Sequence, residues 1–596
     1  MMPRTAQILV AVLVFSAITL IPAAHADWMP LTGAETAPTI AEITVLDDRV
    51  RVALEVYVGD IGAFEALVPD GWLKQDAAAR PSRAERLRQF ATATFQIITD
   101  GGAKLPARLK LVEPRRRKDR YAPFAGMIDP TTRQQVRGPP EDRRVLYAEL
   151  EFPFSGKPRH LTFVPPHDAQ GKPTVSIGFI AYHKAVPIID FRYLAQAERV
   201  TLDWEDPWYT KFDNPTLKRH HQSALMTFLY VEPREVRHEI LMRVRELQAW
   251  TDLGVSGAAM LTSADQARIR ERARSFFAAH NPLAIDATPV TPAAIRVEFL
   301  EISLTGVQVI EDARPLDPAT AMLGIMLSYP VKHLPQHVSV HWDLFSERVT
   351  QVPATSVDPA GPFPSFIESG DPTFDWQNFL RKYAEPRVAP VVVDDGRRIR
   401  VPVLSVVLLV MALGTAVFAV HPVLLSRTAW VLSTGVSMTA AVVLLRVAVI
   451  DVPNPLARTP DEVVAAKILS AVLSNVNYAY LEKSPHAVRQ ALRVVVANQA
   501  LTEVEEELDR TLAIKIAGGG VALVDTVEHV ALKDLAALEG RPGFRGLAEW
   551  TAKASANHWG HNHQRTIRFR ALVELVDDEG AWKLASITVV DTRPVT

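Results

Sequence analysis

Three histidines fall within six residues in the stretch His558-Trp559-Gly560-His561-Asn562-His563-Gln564-Arg565. Imidazoles at this spacing can ligate copper, zinc or nickel, and a single one can act as a general base near neutral pH. Strand parity sorts them. From Ile567 onward, Ile567, Phe569, Val573 and Leu575 alternate with Thr566, Arg568, Arg570 and Glu574, so the odd face is the buried one. Carried back, that parity puts Trp559, His561, His563 and Arg565 on the inner face, as candidates for lining a ligand pocket. His558 falls on the opposite face unless Gly560 marks a bulge, so a metal set of His558, His561 and His563 requires that bulge. His529 and Asp525 could complete a two-histidine site by composition only. The plainer alternative is that these side chains hydrogen-bond backbone and helix ends inside the domain.

A second cluster is Asp203-Trp204-Glu205-Asp206-Pro207-Trp208-Tyr209, followed by Phe212-Asp213-Asn214. Carboxylates among aromatics could line a sugar cleft or hold calcium. There is no EF-hand spacing, and two carboxylates from one loop rarely flank a scissile bond. A loop pinned by buried aromatics is the better reading. His333, His337 and His341 would share a helical face, but Pro335 and the alternation at 338–344 break that geometry. The basic run from Arg115 to Arg120 could meet anionic lipid; without an amphipathic helix it reads as a solvated loop between strands. No Walker loop, Gly-x-Gly-x-x-Gly, Gly-x-Ser-x-Gly or His-Glu-x-x-His occurs, and Gly518-Gly519-Gly520 reads as a hairpin turn.

The elements that must hold these residues differ along the chain. Residues 27–200 alternate as strands, with Ile43 and Val45 before Asp47-Asp48 and Val50, Val52, Leu54, Val56 and Val58 after it. Residues 201–290 read as a helical insert. There Glu232-Pro233 opens a helix carrying Val236, Ile240, Val244 and Leu247, and Ser263-Ala264-Asp265-Gln266 starts another, through to about His280. Residues 291–384 return to strands, and 385–400 form a Pro-bearing linker. No internal repeat is evident.

In residues 459–596, Asp461 caps a helix carrying Val464, Ile468, Val472, Val476 and Tyr480, and Ser484-Pro485 starts another. Strand candidates follow at 512–516 and 521–528. A long hairpin then turns at Asp577-Asp578-Glu579-Gly580. Helices followed by a curved antiparallel sheet resemble the NTF2-like (SnoaL-like) cone. The resemblance covers about 140 residues and rests on element order. That family includes enzymes, ligand binders and assembly modules, so it implies a fold without choosing an activity.

Residues 401–420 carry no charge and 428–450 carry only Arg446, which predicts a transmembrane helical hairpin. Arg4, the apolar run from Ile8 to Ile21 and Ala24-His25-Ala26 form a signal peptide over residues 1–26. Arg397, Arg398 and Arg400 argue for the opposite orientation by local charge, but long domains translocate largely regardless of charge. The absence of cysteine excludes disulfides, thiol catalysis and Cys-ligated metal, and a net charge of -2 gives no global field for nucleic acid.

The expected fold class is therefore multidomain. It comprises a β-rich, sandwich-like N-terminal region with a small helical insert, a transmembrane hairpin, and an α+β NTF2-like C-terminal domain. The whole chain looks like an exported bacterial protein of the inner membrane with two spans and both soluble domains periplasmic. The expected function is non-catalytic binding or assembly, with the lipid bilayer and other envelope proteins as partners and no nucleic acid. The alternatives are copper or zinc handling through His558, His561 and His563, and an enzyme with its pocket in the C-terminal cone.

Overall fold

The computed structural model describes residues 32–596 apart from 74–80, 121, 123, 130–132, 220, 256, 258, 304–305, 312–313, 394–397, 421–425, 454–458, 512–522 and 596. The signal-peptide residues 1–26, the strand expected at 512–516 and the glycine triplet at 518–520 lie outside the described residues. The chain divides into two units. One covers residues up to 232, 236–329 and 335–381; the other covers 382–596 with the short pieces 233–235 and 330–334.

In the first unit the alternation around Asp47-Asp48 forms a hairpin, β1 (Thr39–Val45) and β2 (Arg49–Tyr57), with Ile43, Val45, Val50, Val52, Leu54 and Val56 fully buried. After α1 (Arg83–Gln89) come β3 (Gln96–Thr99), β4 (Arg108–Arg116), β5 (Arg144–Pro153), β6 (His160–Val164) and β7 (Ile177–His183). The short strands β8 (Val186–Pro187), β9 (Arg192–Tyr193), β10 (Glu198–Thr201) and β11 (Lys211–Phe212) close this half. One sheet runs β4-β5-β2-β1-β7-β8, with β9 on β7; a smaller one runs β11-β10-β6-β3. A single apolar core draws on both sheets, joining Val52, Leu54 and Phe179 to Ile97, Phe163 and Phe212.

The second half begins with β12 (Leu225–Glu232) and β13 (Glu235–Arg243), where the sequence suggests a helix. Val236, Ile240 and Val244 are spaced by four, which fits one face of a helix and equally one face of a strand. β13 is an interior strand, so the intervening polar residues that would betray a two-residue period, such as Glu239 and Arg243, are buried as well. Of the expected insert, α2 (Ser263–Phe277), the turn Val244–Leu247 and the 3-10 turn Pro207–Tyr209 are helical among the described residues, and the capping box is Thr262 with Asp265 rather than one starting at Ser263. Residues 201–290 are thus not a helical insert between two β domains. The remaining strands are β14 (Leu283–Ile285), β15 (Thr288–Val290), β16 (Ala294–Ser303), β17 (Gly306–Val309), β18 (Met322–Pro330), β19 (His337–His341), β20 (Gln351–Asp358), β21 (Gly361–Glu368) and β22 (Thr373–Gln377). They form sheets ordered β17-β16-β18-β13-β12-β20-β21 and β15-β14-β19-β22.

The two halves repeat one topology, which corrects the expectation of no internal repeat. Each opens with a hairpin whose first strand pairs in parallel with a late strand, β1 with β7 and β12 with β20. In each, the second hairpin strand lies beside the strand two places before that late one, β5 or β18. The small sheets match as β3-β6-β10 and β14-β19-β22, down to register. Phe163 pairs with Ile97 and Glu198, and Val340 pairs with Leu283 and Phe374. Both partners-in-common lie three residues after a histidine. Leu150-x-Phe152-Pro153 … Pro158-x-His160 and Leu327-x-Tyr329-Pro330 … Pro335-x-His337 keep identical spacing through this segment.

In the second unit β23 (Arg398–Pro402) leads into α3 (Val403–Val420), followed by α4 (Arg427–Val443) and β24 (Val449–Pro453), which pairs back on β23. Among the described residues α3 is the one helix long and apolar enough to cross a membrane by length and composition. α4 stops at Val443, well short of residue 450, because the chain turns at Leu444 and Arg446 into β24. Small residues meet between the helices: Ser405, Ala412, Ser437 and Ala441 are buried, Thr415 and Thr434 share a hydrogen bond of 2.9 Å, and Phe418 stacks on Trp430 at 5.1 Å.

Then come α5 (Glu462–Ala479), α6 (Pro485–Leu492), α7 (Leu501–Thr511), β25 (Leu523–Ala537), β26 (Gly543–His558), β27 (His561–Asp578) and β28 (Ala581–Pro594). The four strands form one antiparallel sheet in chain order. Ile468, Leu469, Val472 and Val476 of α5 fill the space over it, against the stacked pair Trp550 and Phe569. Part of the stretch expected as a free linker also packs here: Val391 is buried in this core and bridges to Trp582.

Candidate functional site

The histidine stretch is a hairpin turn. His558 ends β26, Trp559 and Gly560 take φ of 45° and 78°, and His561 begins β27. Two consecutive positive φ values are what a two-residue hairpin loop requires, with glycine the residue best suited to supply one. The register pairs His558 with His561, Ala556 with His563 and Ala554 with Arg565. Directly opposed positions share a face. His558 therefore falls on the same face as His561 and His563, because the chain reverses at Trp559-Gly560 instead of bulging. Trp559 belongs to the turn, not to the inner row of β27. Trp559 and His558 are buried, with their rings 5.0 Å apart and near-perpendicular. Arg565 is exposed. The side chains of His561 and His563 are outside the description, as is that of Asp525. His529 is exposed on β25, beside Glu528. Among the described residues no group of three His, Asp or Glu side chains is placed to hold a metal.

The carboxylate–aromatic cluster has a definite role. The loop at 203–209, at the end of the first repeat, is gripped by three arginines of the second. Arg243, wholly buried, donates to both Asp206 oxygens at 2.7 and 3.2 Å and also pairs with Glu246, while its guanidinium lies 4.6 Å from the Trp208 ring. Arg348 reaches Asp203 and Glu205 and lies 5.0 Å from the Tyr209 ring. Arg245 donates to the Glu205 carbonyl. From the segment that joins the two repeats, Arg219 lies 4.0 Å from the Trp208 ring and donates to the Trp208 and Pro187 carbonyls. Burial acts to raise the Asp206 pKa, but hydrogen bonds and charge from Arg243 outweigh it and hold the carboxyl below its ordinary value. Asp206 is held in this buried ion pair, while Asp203 and the exposed Glu205 pair with Arg348 nearer the surface, which fits a loop pinned in place.

Sequence reasoning missed Arg243, although a lone arginine in the apolar run Ile240-Leu241-Met242-Arg243-Val244 is a signal of a buried ion pair. It read only part of the basic run. Arg117 is buried and donates to the Ala37, Pro38 and Glu35 carbonyls, and Arg120 pairs with Glu42 and Glu55. Arg115 and Arg116 belong to β4. Arg117 and Arg120 are clamps, whereas Lys118 and Asp119 are exposed in the loop between β4 and β5, as expected of a solvated connection.

Two histidines are buried in similar settings. His183 bonds the Thr210 hydroxyl at 2.7 Å with Trp204 edge-on to its ring, and His238 bonds the Thr227 hydroxyl at 2.7 Å with Trp342 edge-on. Burial lowers their pKa values to about 4 and about 3, so both are neutral at physiological pH. An apolar groove of about 590 Å³ runs along α4 past Gly435 and Thr439, and a polar cleft of about 410 Å³ lies between Asp252 and Arg272 beside α2. No family model matches the chain, and no curated protein is significantly similar to it.

Proposed function

We propose that the protein is a membrane-anchored extracytoplasmic binding or assembly protein of the bacterial envelope, acting without catalysis. The observation that carries this is the outward face of α3. Leu409, Val410, Leu413 and Val417 are 45–65 % exposed on an uncharged helix of 18 residues, a surface suited to lipid and not to water. α4, with Leu432 and Val436 about as exposed, is the second span of a hairpin. Export rests on the signal-peptide pattern at 1–26, and it puts both soluble parts in the periplasm. The C-terminal domain is read as an NTF2-like cone, supported by three helices preceding a four-stranded antiparallel sheet. Binding or assembly is favoured because the tandem β repeats present large sheets while their carboxylate cluster is consumed in ion pairs.

The test is carbonate extraction with alkaline phosphatase fusions after residues 385 and 596, followed by gentle detergent purification. The reading expects membrane retention, active phosphatase at both positions, and co-purifying envelope proteins. Recovery in the soluble fraction, inactive fusions or a protein purified alone would count against the anchor, the orientation and the assembly role respectively.

A second reading, copper or zinc handling, is favoured by one observation: positions 558, 561 and 563 share a face across the hairpin. Metal analysis of the purified chain, against His561→Ala and His563→Ala, decides it. The expectation is stoichiometric metal that either substitution removes.

A further inference from the structure

We propose that the β23–β24 ribbon is an interfacial lipid-binding element, with one face immersed at the boundary of headgroups and acyl chains and the other turned to lipid phosphates. This rests on the membrane reading above and adds a lipid-contacting surface outside the helices.

The register carries the argument. Ile399 pairs with Val452 and Val401 with Ile450, so four β-branched residues share one face of the ribbon. The other face carries Arg398 opposite Pro453, Arg400 opposite Asp451 and Pro402 opposite Val449. All of the ribbon's charge lies on this second face, which also exposes Val449, and the uncharged face is open: Ile399 is 44 % and Ile450 50 % exposed. A two-stranded hairpin is marginal in water and needs something to cover such a face.

Continuity indicates what covers it. The ribbon runs into the helices without a break, as the Val403 amide at the start of α3 donates to the Ala448 carbonyl at 3.2 Å. Exposed Leu404 and Val406 of α3, and Leu445 and Val447 after α4, extend the lipid-facing surface towards the ribbon. Arg446 lies at the same end of the hairpin and Arg400 is exposed on the polar face. Guanidiniums flanking an exposed apolar strip match the layout of an interfacial segment, with the charges at phosphate depth and the aliphatic stems below. A protein partner would account for the apolar strip but not for its continuity with a helical surface of lipid character. On this view Arg400, on the second face opposite Asp451, sits at headgroup depth, and the charge at this end of the hairpin is not a topology signal.

The chain has no cysteine, so single-cysteine labelling of the full protein is clean. Ile399→Cys, Ile450→Cys, Arg400→Cys and Leu409→Cys are each labelled with an environment-sensitive fluorophore. Each is then reconstituted into phosphatidylethanolamine–phosphatidylglycerol vesicles with or without brominated acyl chains. The proposal expects quenching at 409, 399 and 450, and quenching weaker by about twofold or more at 400. Quenching at 409 but not at 399 or 450 overturns the ribbon proposal and leaves the membrane reading standing. Equal quenching at 400 and 399 overturns the two-faced arrangement. Absence of quenching at 409 overturns the membrane reading and the proposal together.

Discussion

Arg243 has no exposed surface, and a guanidinium so placed is tolerable only with carboxylates at hydrogen-bonding distance and a ring face beside it. Arg243→Met should therefore cost about 3–5 kcal/mol, because Asp206 and Glu246 would be left buried without their main counter-charge. Arg348→Ala, at a solvent-accessible pair, should cost no more than about 1 kcal/mol. Denaturant melts of the full chain in detergent measure both. The buried histidines give a pH signature. Their folded pKa values, about 4 and about 3, lie below the unfolded value near 6.5, so the unfolded chain binds the extra protons. Their neutral burial is fully tolerated above pH 6.5. Stability then falls as pH drops towards 4, by about 1.4 kcal/mol per pH unit for each histidine. A His183→Gln, His238→Gln double variant should show a flatter profile between pH 6.5 and 4.5. Neither histidine was legible as buried in the sequence, since Glu239 and Arg243 share the same strand with His238 and suggest solvent.

The small sheets are anchored by a device used twice. Asp100, after β3, accepts the Arg159 amide at 2.7 Å and contacts His160. Asp286, after β14, accepts the Gln336 and His337 amides at 2.8 and 2.9 Å. Asp286→Ala should cost about 1.5–3 kcal/mol, the usual value of hydrogen bonds to a charged acceptor, with Asp100→Ala similar. Melting midpoints of the two variants check this. At the other end of the chain, Gly560→Val puts a β-branched residue at φ 78° and should loosen the β26–β27 hairpin by about 1–2 kcal/mol. Hydrogen exchange along both strands reads it. Elements of period two with one wet face, such as β1, β2 and β19, were legible. Two features were not. β13 is buried on both faces and so hides its period, and Trp559-Gly560 lacks the Asn-Gly or Asp-Gly signature of a tight hairpin. The repeat was visible only as the shared spacing of Leu, aromatic, Pro, Pro and His, with too few identities to stand out.

For the molecule as a whole, hydropathy reported the long apolar helix α3 directly, because an uncharged run of that length needs no tertiary information to detect. It overstated α4, whose last apolar residues become strand. The coupling between the β repeats could not be read, since it depends on side chains more than 35 residues apart meeting across one seam. That coupling predicts a single unfolding transition for both repeats in the wild-type protein and two separable transitions in Arg243→Met, seen by calorimetry of the full chain. The seam has one more consequence. Each repeat holds a complete set of its own strands, and the covalent crossing between them is the short stretch from residue 213 to residue 224. The arginine grip on the loop at 203–209 is a second, noncovalent link across the same seam. A chain cleaved there by a protease would still migrate as one particle, its two β halves held by noncovalent complementation.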